Sequence, residues 1–185
     1  PVKDQPGYGF VLLLWPTKKT AALVQTIRKS GATADPYEIL ANPKQNPELK
    51  NLSEEVLKLS TRYGILTEYT AFLANEDNRL QSQQQQVEMA YQNFDQRAVK
   101  TRVGISSVNQ SINNSLQKRY ILNGNNYYYD ANMDKVAVPN VQQFGNGAYF
   151  LRGDTWVEGK LLDRPNLVPT ERVSFGSPAY RDWVN

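Results

Sequence analysis

The sequence of 185 residues predicts an α+β fold, with N-terminal helices plus a strand, one long helix, and a C-terminal antiparallel β-meander. Apolar residues at helical spacing predict the helices of the first part. Between Leu80 and Tyr120 the chain has a glutamine run, no proline and a single glycine, which favours a long helix. Beyond residue 120, short runs of β-branched and aromatic residues separated by turn signals predict strands.

The N-terminal part begins with the longest apolar run of the chain, Phe10 to Trp15. This run is far too short to span a bilayer. Its apolar character predicts a buried strand. Thr17 to Ser30 predicts a helix that ends at Gly31. Residues 31–50 contain three prolines and predict an irregular connector, in which Asp35-Pro36 could cap one short helical turn.

A second helix is predicted from Leu52, with Ser53 as its N-cap and acidic residues in the first turn. Its apolar residues recur at helical spacing as far as Tyr63, and Gly64 supplies a left-handed stop. Ile65 to Leu73 is rich in β-branched and aromatic residues, so it predicts a strand.

The glutamine-rich region carries a heptad-like seam of apolar residues, spaced alternately by four and three. Its members are Val87, Tyr91, Phe94, Ala98, Thr101, Ile105, Val108 and Ile112. We expect one long helix, or two helices broken near Gly104, with the seam buried against the β-rich third or against a partner. The residues that we expect to make an interface are Tyr91, Phe94, Ile105, Val108 and Ile112.

The last third predicts a series of short strands and one final helix. The strands are Tyr120–Tyr129, Val136–Val138, Val141–Phe144, Ala148–Leu151 and Thr155–Leu161. Asn146-Gly147 predicts a tight hairpin turn, and Ser177-Pro178 predicts a helix that runs through Trp183. The chain therefore divides into three regions, 1–78, 79–120 and 121–185.

Composition excludes several chemistries. The chain has no cysteine and no histidine, which excludes disulfides, thiol nucleophiles, histidine-based triads and the usual zinc sites. The net charge of +3 comes from cations interleaved with acids, whereas a nucleic-acid surface needs clustered cations. We therefore predict no enzymatic activity, no cofactor and no nucleic-acid partner.

One set of residues could bind a metal. Asp130, Asn132 and Asp134 have the alternating oxygen spacing that opens a calcium loop. An EF-hand would need glycine and glutamate where Lys135 and Val141 stand, so a solvated turn is favoured. The oxygen spacing leaves calcium as the one metal worth testing.

Two further motifs are better explained by structure than by function. Arg152-Gly153-Asp154 spells the integrin-binding tripeptide, but Gly and Asp are also what a turn between strands needs. Tyr127 and Tyr129 share one face of a predicted strand and could stack on a sugar or a base. Packing in a core or an interface is favoured for them.

The run RYGILTEYTAFL at residues 62–73 carries a family resemblance. It resembles the signature "YGI-x-T-x-YT-x-FL" that follows the von Willebrand factor A (VWA) domain in bacterial proteins that pair a VIT domain with a VWA domain. Those proteins are similar to the heavy chains of inter-α-trypsin inhibitor. Leu14-Trp15 resembles the "LW" helix that precedes this signature, and Val141 to Val157 resembles a hairpin of the family.

The resemblance implies that the chain is the region downstream of a VWA domain, or a homologue that has lost that domain. The Asp-x-Ser-x-Ser metal loop of VWA domains does not occur in these residues, so metal-dependent adhesion is not carried over. Because the bacterial resemblance makes glycosylation unexpected, the sequons at Asn51, Asn109 and Asn113 are interpreted as chance matches.

The resulting expectation is a non-catalytic structural or protein-interaction module of a bacterial cell-envelope protein, located in the periplasm or at the cell surface. Its protein partner would be the rest of its own precursor or a membrane complex, and Pro1 in place of methionine fits a processed chain. Two alternatives stay open. One is an accessory subunit docked on the periplasmic side of a larger membrane complex, and the other is a lectin-like module that uses the tyrosines.

Overall fold

The computed structural model describes residues 9–33, 46–74, 82–100, 103–119, 127–144, 147–162, 168, 170–174 and 176–184. The fold is α+β, as the sequence predicts. The helices are α1 (Gly9–Thr33), α2 (Pro47–Tyr63), α3 (Gln83–Asn93), α4 (Ile105–Arg119) and α5 (Pro178–Val184). A π-helix (Phe94–Val99) continues α3, and two short 3₁₀ helices cover Ala71–Ala74 and Gly159–Leu161. Within these described residues, no helix is long and apolar enough to cross a membrane.

The strands form a C-terminal antiparallel meander in two small sheets. They are β1 (Tyr127–Tyr129), β2 (Lys135–Ala137), β3 (Val141–Phe144), β4 (Gly147–Arg152) and β5 (Thr155–Glu158). The first sheet pairs β1 with β2, and the second has the order β3-β4-β5. The predicted strands are confirmed at these positions. The predicted residues 120–126 lie outside the described residues, and the last strand gives way to a 3₁₀ helix after Glu158.

The two hairpins of the larger sheet have short connections. Arg152 pairs with Thr155, so Gly153 and Asp154 form the turn as predicted, with Gly153 at φ 56°. Phe144 pairs with Gly147, so Gly147 belongs to β4 rather than to the turn, and Asn146 lies outside the described residues.

The prediction of a strand at Phe10–Trp15 is wrong, because this run forms the beginning of α1. Three of its six residues are leucines, which favour a helix, and only Val11 is β-branched. The predicted helix at Thr17–Ser30 is confirmed within α1, which ends at Thr33, two residues beyond Gly31. The predicted helical turn at Asp35-Pro36 lies outside the described residues.

Helix α2 begins earlier than predicted, at Pro47. Asn46 is its N-cap, and the Asn46 side chain accepts hydrogen bonds from the backbone N–H groups of Glu48 (3.0 Å) and Leu49 (3.2 Å). Ser53 is instead buried inside the helix, where its hydroxyl donates to the Leu49 carbonyl at 2.7 Å. The C-terminal stop at Gly64 is confirmed, with φ 64°.

The prediction of a strand at Ile65–Leu73 is also wrong. This segment has a turn that leads into the 3₁₀ helix at Ala71–Ala74. The Thr70 hydroxyl accepts a hydrogen bond from the Thr67 backbone N–H at 3.0 Å, and the Ser60 hydroxyl donates to the Ile65 carbonyl at 2.9 Å. Such local hydroxyl-to-backbone bonds compete with a strand ladder, so β propensity alone misassigns the segment.

Two clusters of buried apolar residues form the core. The first includes Leu57, Leu66, Leu73, Val87, Ala90, Val141, Phe150 and Leu162. The second includes Val24, Ile27, Val56, Tyr69, Phe94 and Ala98. Because the first cluster takes residues from all three of the predicted regions 1–78, 79–120 and 121–185, those regions pack on one another.

Gly159 is needed where the meander meets α2. A Cβ atom placed on Gly159 would lie only 1.8 Å from the backbone oxygen of Thr61, and backbone cannot move away as a flexible side chain can. The close approach of the two backbones therefore excludes a side chain at this position.

We expect Gly159→Ala to lower the free energy of unfolding by about 3 kcal/mol, because it overpacks a rigid contact. Gly104→Ala is the control, since Gly104 has φ 78° but open space around it. The free energy of unfolding of this control should fall by only about 1–2 kcal/mol, the cost of a left-handed backbone conformation for a residue with a side chain. Urea unfolding measures the stability of both variants. A smaller loss of stability for Gly159→Ala than for Gly104→Ala would contradict the close contact with Thr61.

Candidate functional site

Helix α4 buries its polar face and exposes aliphatic residues. Its buried side chains are Asn109, Gln110, Asn113 and Asn114. Ile105 is 64% exposed and Val108 is 55% exposed, while Ile112 is half-buried. The prediction that the whole seam is buried is therefore wrong at Ile105 and Val108. The predicted alternative of two helices broken near Gly104 matches the structure, where α4 starts after this glycine.

The buried amide of Asn113 pairs with β1 in the way that a neighbouring strand would. Its Nδ2 donates to the Tyr129 carbonyl at 2.8 Å, and its Oδ1 accepts from the Tyr129 N–H at 2.8 Å. Both backbone groups of one strand residue are thus satisfied by a single side chain, which fixes the strand against α4.

The other three amides bind the backbone of three more segments. Asn114 donates to the Ala21 carbonyl of α1 at 2.9 Å, Gln110 to the Arg97 carbonyl of the π-helix, and Asn109 to the Asp130 carbonyl after β1. Buried amides need such partners, and these partners lie far away in sequence. The polar face of α4 consequently has to point inward.

The first half of the seam lies in the core, as predicted. Phe94 is fully buried and its ring stacks on Tyr69, with the ring centroids 4.3 Å apart. Tyr91 is half-buried, and its hydroxyl accepts from the Asn46 N–H at 3.3 Å. Of the five residues expected at an interface, the structure therefore leaves Ile105 and Val108 most open to a partner.

A buried carboxyl group, that of Glu68, lies beside the amide face. Burial raises the pKa of Glu68 from 4.5 to about 7, although contacts with Asn113 and Tyr69 and the charge of Arg28 favour the ionised form. The Oε1 atom is shielded from water and has no hydrogen-bond partner among the described residues. Burial and the nearby carboxylate also raise the pKa of the Tyr69 hydroxyl.

A cavity of about 180 Å³ opens beside Glu68. Its polar lining includes Glu68, Arg97, Ser106, Asn109, Gln110 and Tyr129. Arg97 donates from Nη1 to the Glu68 backbone carbonyl at 2.8 Å, and both residues line the cavity. The Oδ1 atom of Asn109 is a second buried oxygen without a partner in the described part of the chain.

A larger groove of about 470 Å³ lies between α2, α3 and the 3₁₀ helix at Gly159–Leu161. Leu57, Val87 and Leu162 give it an apolar floor, while Glu54 and Lys58 form an ion pair of 2.8 Å at its edge. Among the residues that the structure describes, none of the buried oxygens without a partner lies in this groove. It therefore offers less chemistry than the cavity at Glu68.

Asp130, Asn132 and Asp134, the calcium candidates, form a turn between β1 and β2. The Oδ1 atom of Asp130 accepts from the backbone N–H groups of Asn132 (2.8 Å) and Asp134 (3.0 Å). This carboxylate oxygen thus closes the turn, as aspartate commonly does. In the part of the chain that the structure describes, no cluster of three or more acidic side chains could hold a metal ion.

The tyrosines of β1 share a face as predicted, but they do not form a flat platform. The rings of Tyr127 and Tyr129 are perpendicular, at 88°, with centroids 6.2 Å apart. The ammonium group of Lys135 lies 4.0 Å from the centroid of the Tyr127 ring. Tyr128 lines a cavity together with Tyr127, Leu66 and Asn114, and burial raises the pKa of its hydroxyl.

Sequence reasoning missed both Glu68 and the amide face of α4. A usable signal for the amides was present, because Asn109, Gln110, Asn113 and Asn114 have the i, i+1, i+4, i+5 spacing of one helix face. Glu68 carried no such signal, since a single acid within an apolar run does not reveal what will cover it.

No protein-family model matches the chain, and no curated protein or solved structure matches it either.

We expect Glu68→Gln to change how stability depends on pH. The pKa of Glu68 in the folded protein, about 7, exceeds the ordinary value of 4.5, so the fold retains a proton that the unfolded chain releases. The free energy of unfolding of the wild type should therefore fall by about 3 kcal/mol as the pH rises from about 4.5 to about 7.

Replacing the carboxyl group by an amide removes this titration, so the Glu68→Gln variant should be the more stable protein at pH 8 and lose the advantage towards pH 4. Urea unfolding of both proteins at intervals across this range measures the difference. Parallel profiles would show that the carboxyl group of Glu68 is not desolvated in solution.

We expect Asn113→Ala to cost about 2–4 kcal/mol of stability, because it leaves two backbone groups of Tyr129 without partners. Ser115→Ala on the exposed side of the same helix is the control and should stay within about 0.5 kcal/mol. Hydrogen exchange gives a local measurement, in which the Tyr129 amide should lose protection. Unchanged protection would contradict the pairing.

Proposed function

We propose that this chain is a non-catalytic protein-interaction module of a bacterial cell-envelope protein of the VIT/VWA type, and that it binds its partner through the start of α4. The family part of this proposal rests on the resemblance of residues 62–73. The interaction part rests on one observation, the exposure of aliphatic side chains opposite the buried amides.

The exposed side chains, Val103, Ile105 and Val108, form what we call the α4 apolar face. Their exposed fractions are 85%, 64% and 55%. Residues three apart on a helix are neighbours, so Ile105 and Val108 adjoin, and Val103 lies just before the helix. Single exposed aliphatic residues are common, whereas an adjoining group of them marks an interaction surface.

The inverted polarity of α4 strengthens this inference. The amides already anchor the helix from its inner side, so the fold itself does not require aliphatic residues on the outer side. A partner that covers the α4 apolar face would bury them, at about 1.5–3 kcal/mol for each fully covered side chain.

Binding is a better assignment than catalysis for the titratable group of the site. The Glu68 carboxyl group has a pKa suited to proton transfer near neutral pH. A general base, however, activates a nucleophile, and the side chains that contact the Glu68 carboxyl group are the amide of Asn113 and the phenol of Tyr69, whose pKa is raised.

We expect Val108→Asp to leave the chain folded and to abolish partner binding. An exposed position tolerates a charge with a change of about 0.5 kcal/mol or less, whereas a carboxylate at the centre of an apolar interface is desolvated. Phe94→Asp should unfold the chain, because Phe94 is fully buried. Circular dichroism and urea unfolding distinguish the two variants.

The partner can be captured with a photo-cross-linking amino acid at position 108 in the bacterium that makes the protein. Position 115, exposed on the same helix, is the matched control. We expect one discrete adduct from position 108 that Ile105→Asp eliminates. Equal labelling from positions 108 and 115 would contradict the α4 apolar face as an interface.

The identity of the adduct tests the family assignment. A cross-link to a VWA domain of the same precursor supports the VIT/VWA-type module. A cross-link to a separate membrane-complex protein supports the alternative of an accessory subunit on the periplasmic side.

A further inference from the structure

Helices α1 and α4 concentrate positive charge on one part of the molecule. Neither helix contains an acidic residue, although the whole chain has nearly as many acidic as basic residues. Their basic residues are Lys18, Lys19, Arg28, Lys29, Lys118 and Arg119. Cations and acids are interleaved along the sequence, so this concentration arises because the fold packs two helices that are distant in sequence against each other.

The two helices run antiparallel. Arg28 donates to the carbonyl of Ser107 at 3.3 Å, and Asn114 donates to the carbonyl of Ala21 at 2.9 Å. The second contact is seven residues earlier in α1 and seven residues later in α4. An α-helix rises 1.5 Å per residue, so Trp15 and the C-terminal end of α4 both lie roughly 6–9 Å further in the same direction.

This end of the helix pair exposes a tryptophan and three cations, and we call it the α1–α4 basic end. Its residues are Trp15, which is 58% exposed, and the exposed Lys18, Lys118 and Arg119. In the part of the chain that the structure describes, none of these three cations forms an ion pair. Lys118 donates to the side-chain oxygen of Gln25, which is a neutral partner. The positive charge of the basic end is therefore available to an anionic surface.

The surroundings of Trp15 indicate the kind of anionic surface. The ammonium group of Lys19 lies 5.1 Å from the centroid of the Trp15 ring and is neutralised by Glu55 of α2. The five residues before Trp15 in α1, FVLLL, are all apolar. Tryptophan between an apolar run and basic residues is typical of the interface of a bilayer, where the ring lies at headgroup level and cations attract anionic lipids.

We propose that the α1–α4 basic end binds the surface of a bilayer that contains anionic phospholipids. Its cations contact the headgroups, and Trp15 lies at their boundary with the acyl chains. The apolar run before Trp15 favours a bilayer over nucleic acid, because nucleic acid offers phosphates without an apolar layer beneath them. The α4 apolar face lies at the other end of α4, so a protein partner and a membrane have separate surfaces on this chain.

The test is co-sedimentation of the full chain with vesicles of phosphatidylcholine alone, and with vesicles of an equal mixture of phosphatidylcholine and phosphatidylglycerol. We expect an affinity at least tenfold higher for the anionic vesicles, and we expect added sodium chloride to weaken it by screening. Binding should also move the tryptophan emission to shorter wavelength. Trp15→Phe should remove this spectral shift, although Trp156 and Trp183 remain.

A pair of double variants with the same net charge tests the position of the surface. Lys18→Glu with Lys118→Glu should weaken binding to the anionic vesicles at least tenfold. Arg62→Glu with Arg172→Glu reverses two exposed cations outside the helix pair and should weaken binding less than threefold. Circular dichroism and urea unfolding verify that both proteins are folded.

Four results would overturn the proposal. The first is equal affinity for the two kinds of vesicle, and the second is an equal loss of binding in the two double variants. The third is an unchanged emission shift in Trp15→Phe, which would place another part of the chain at the bilayer. The fourth is binding to duplex DNA without binding to the anionic vesicles, as expected of a surface that recognises phosphates alone.

Discussion

The fold depends on four side-chain amides of α4 that bind the backbone of other segments. Through Asn109, Gln110, Asn113 and Asn114, this one helix holds α1, the π-helix and the segment from β1 into its turn. The sheet of β1 and β2 depends most on these hydrogen bonds, because a two-stranded sheet with strands of three residues is marginally stable by itself. The hydrogen bonds of Asn113 give β1 the second neighbour that a larger sheet would provide.

The π-helix between α3 and α4 shapes the candidate site at Glu68. It places Phe94 in the core and turns Arg97 towards Glu68, whose backbone carbonyl the guanidinium binds. Its Arg97 carbonyl accepts a hydrogen bond from the Gln110 side chain of α4. Such wide turns are rare and frequently occur at functional sites, which agrees with the position of this one at the edge of the cavity.

The sequence predicted those features that depend on neighbouring residues. The stop at Gly64, the break near Gly104 and the turn at Gly153 follow from backbone preferences, and all three are confirmed. The short runs of β-branched and aromatic residues between turn signals predicted the meander in the same way. Local signals sufficed because each feature is completed within a few residues.

The sequence failed where distant partners decide the outcome. The seam was expected to turn Ile105 inward because apolar residues usually do so, but the amides beside it have backbone partners up to 93 residues away. Ile65 to Leu73 has strand-like composition, yet hydroxyl groups of Ser60 and Thr70 satisfy its backbone locally. The cavity at Glu68 is lined by four segments that are distant in sequence, so it could not be foreseen.

The buried amides have a practical consequence for making the protein. Asn109 and Asn113 both stand in Asn-x-Ser sequons, and a eukaryotic secretory pathway attaches glycans to such asparagines before folding is complete. A glycan on either side chain would replace an amide hydrogen and add bulk to a face that packs on β1 and its turn. Production in a bacterial host leaves both side chains unmodified and avoids this conflict.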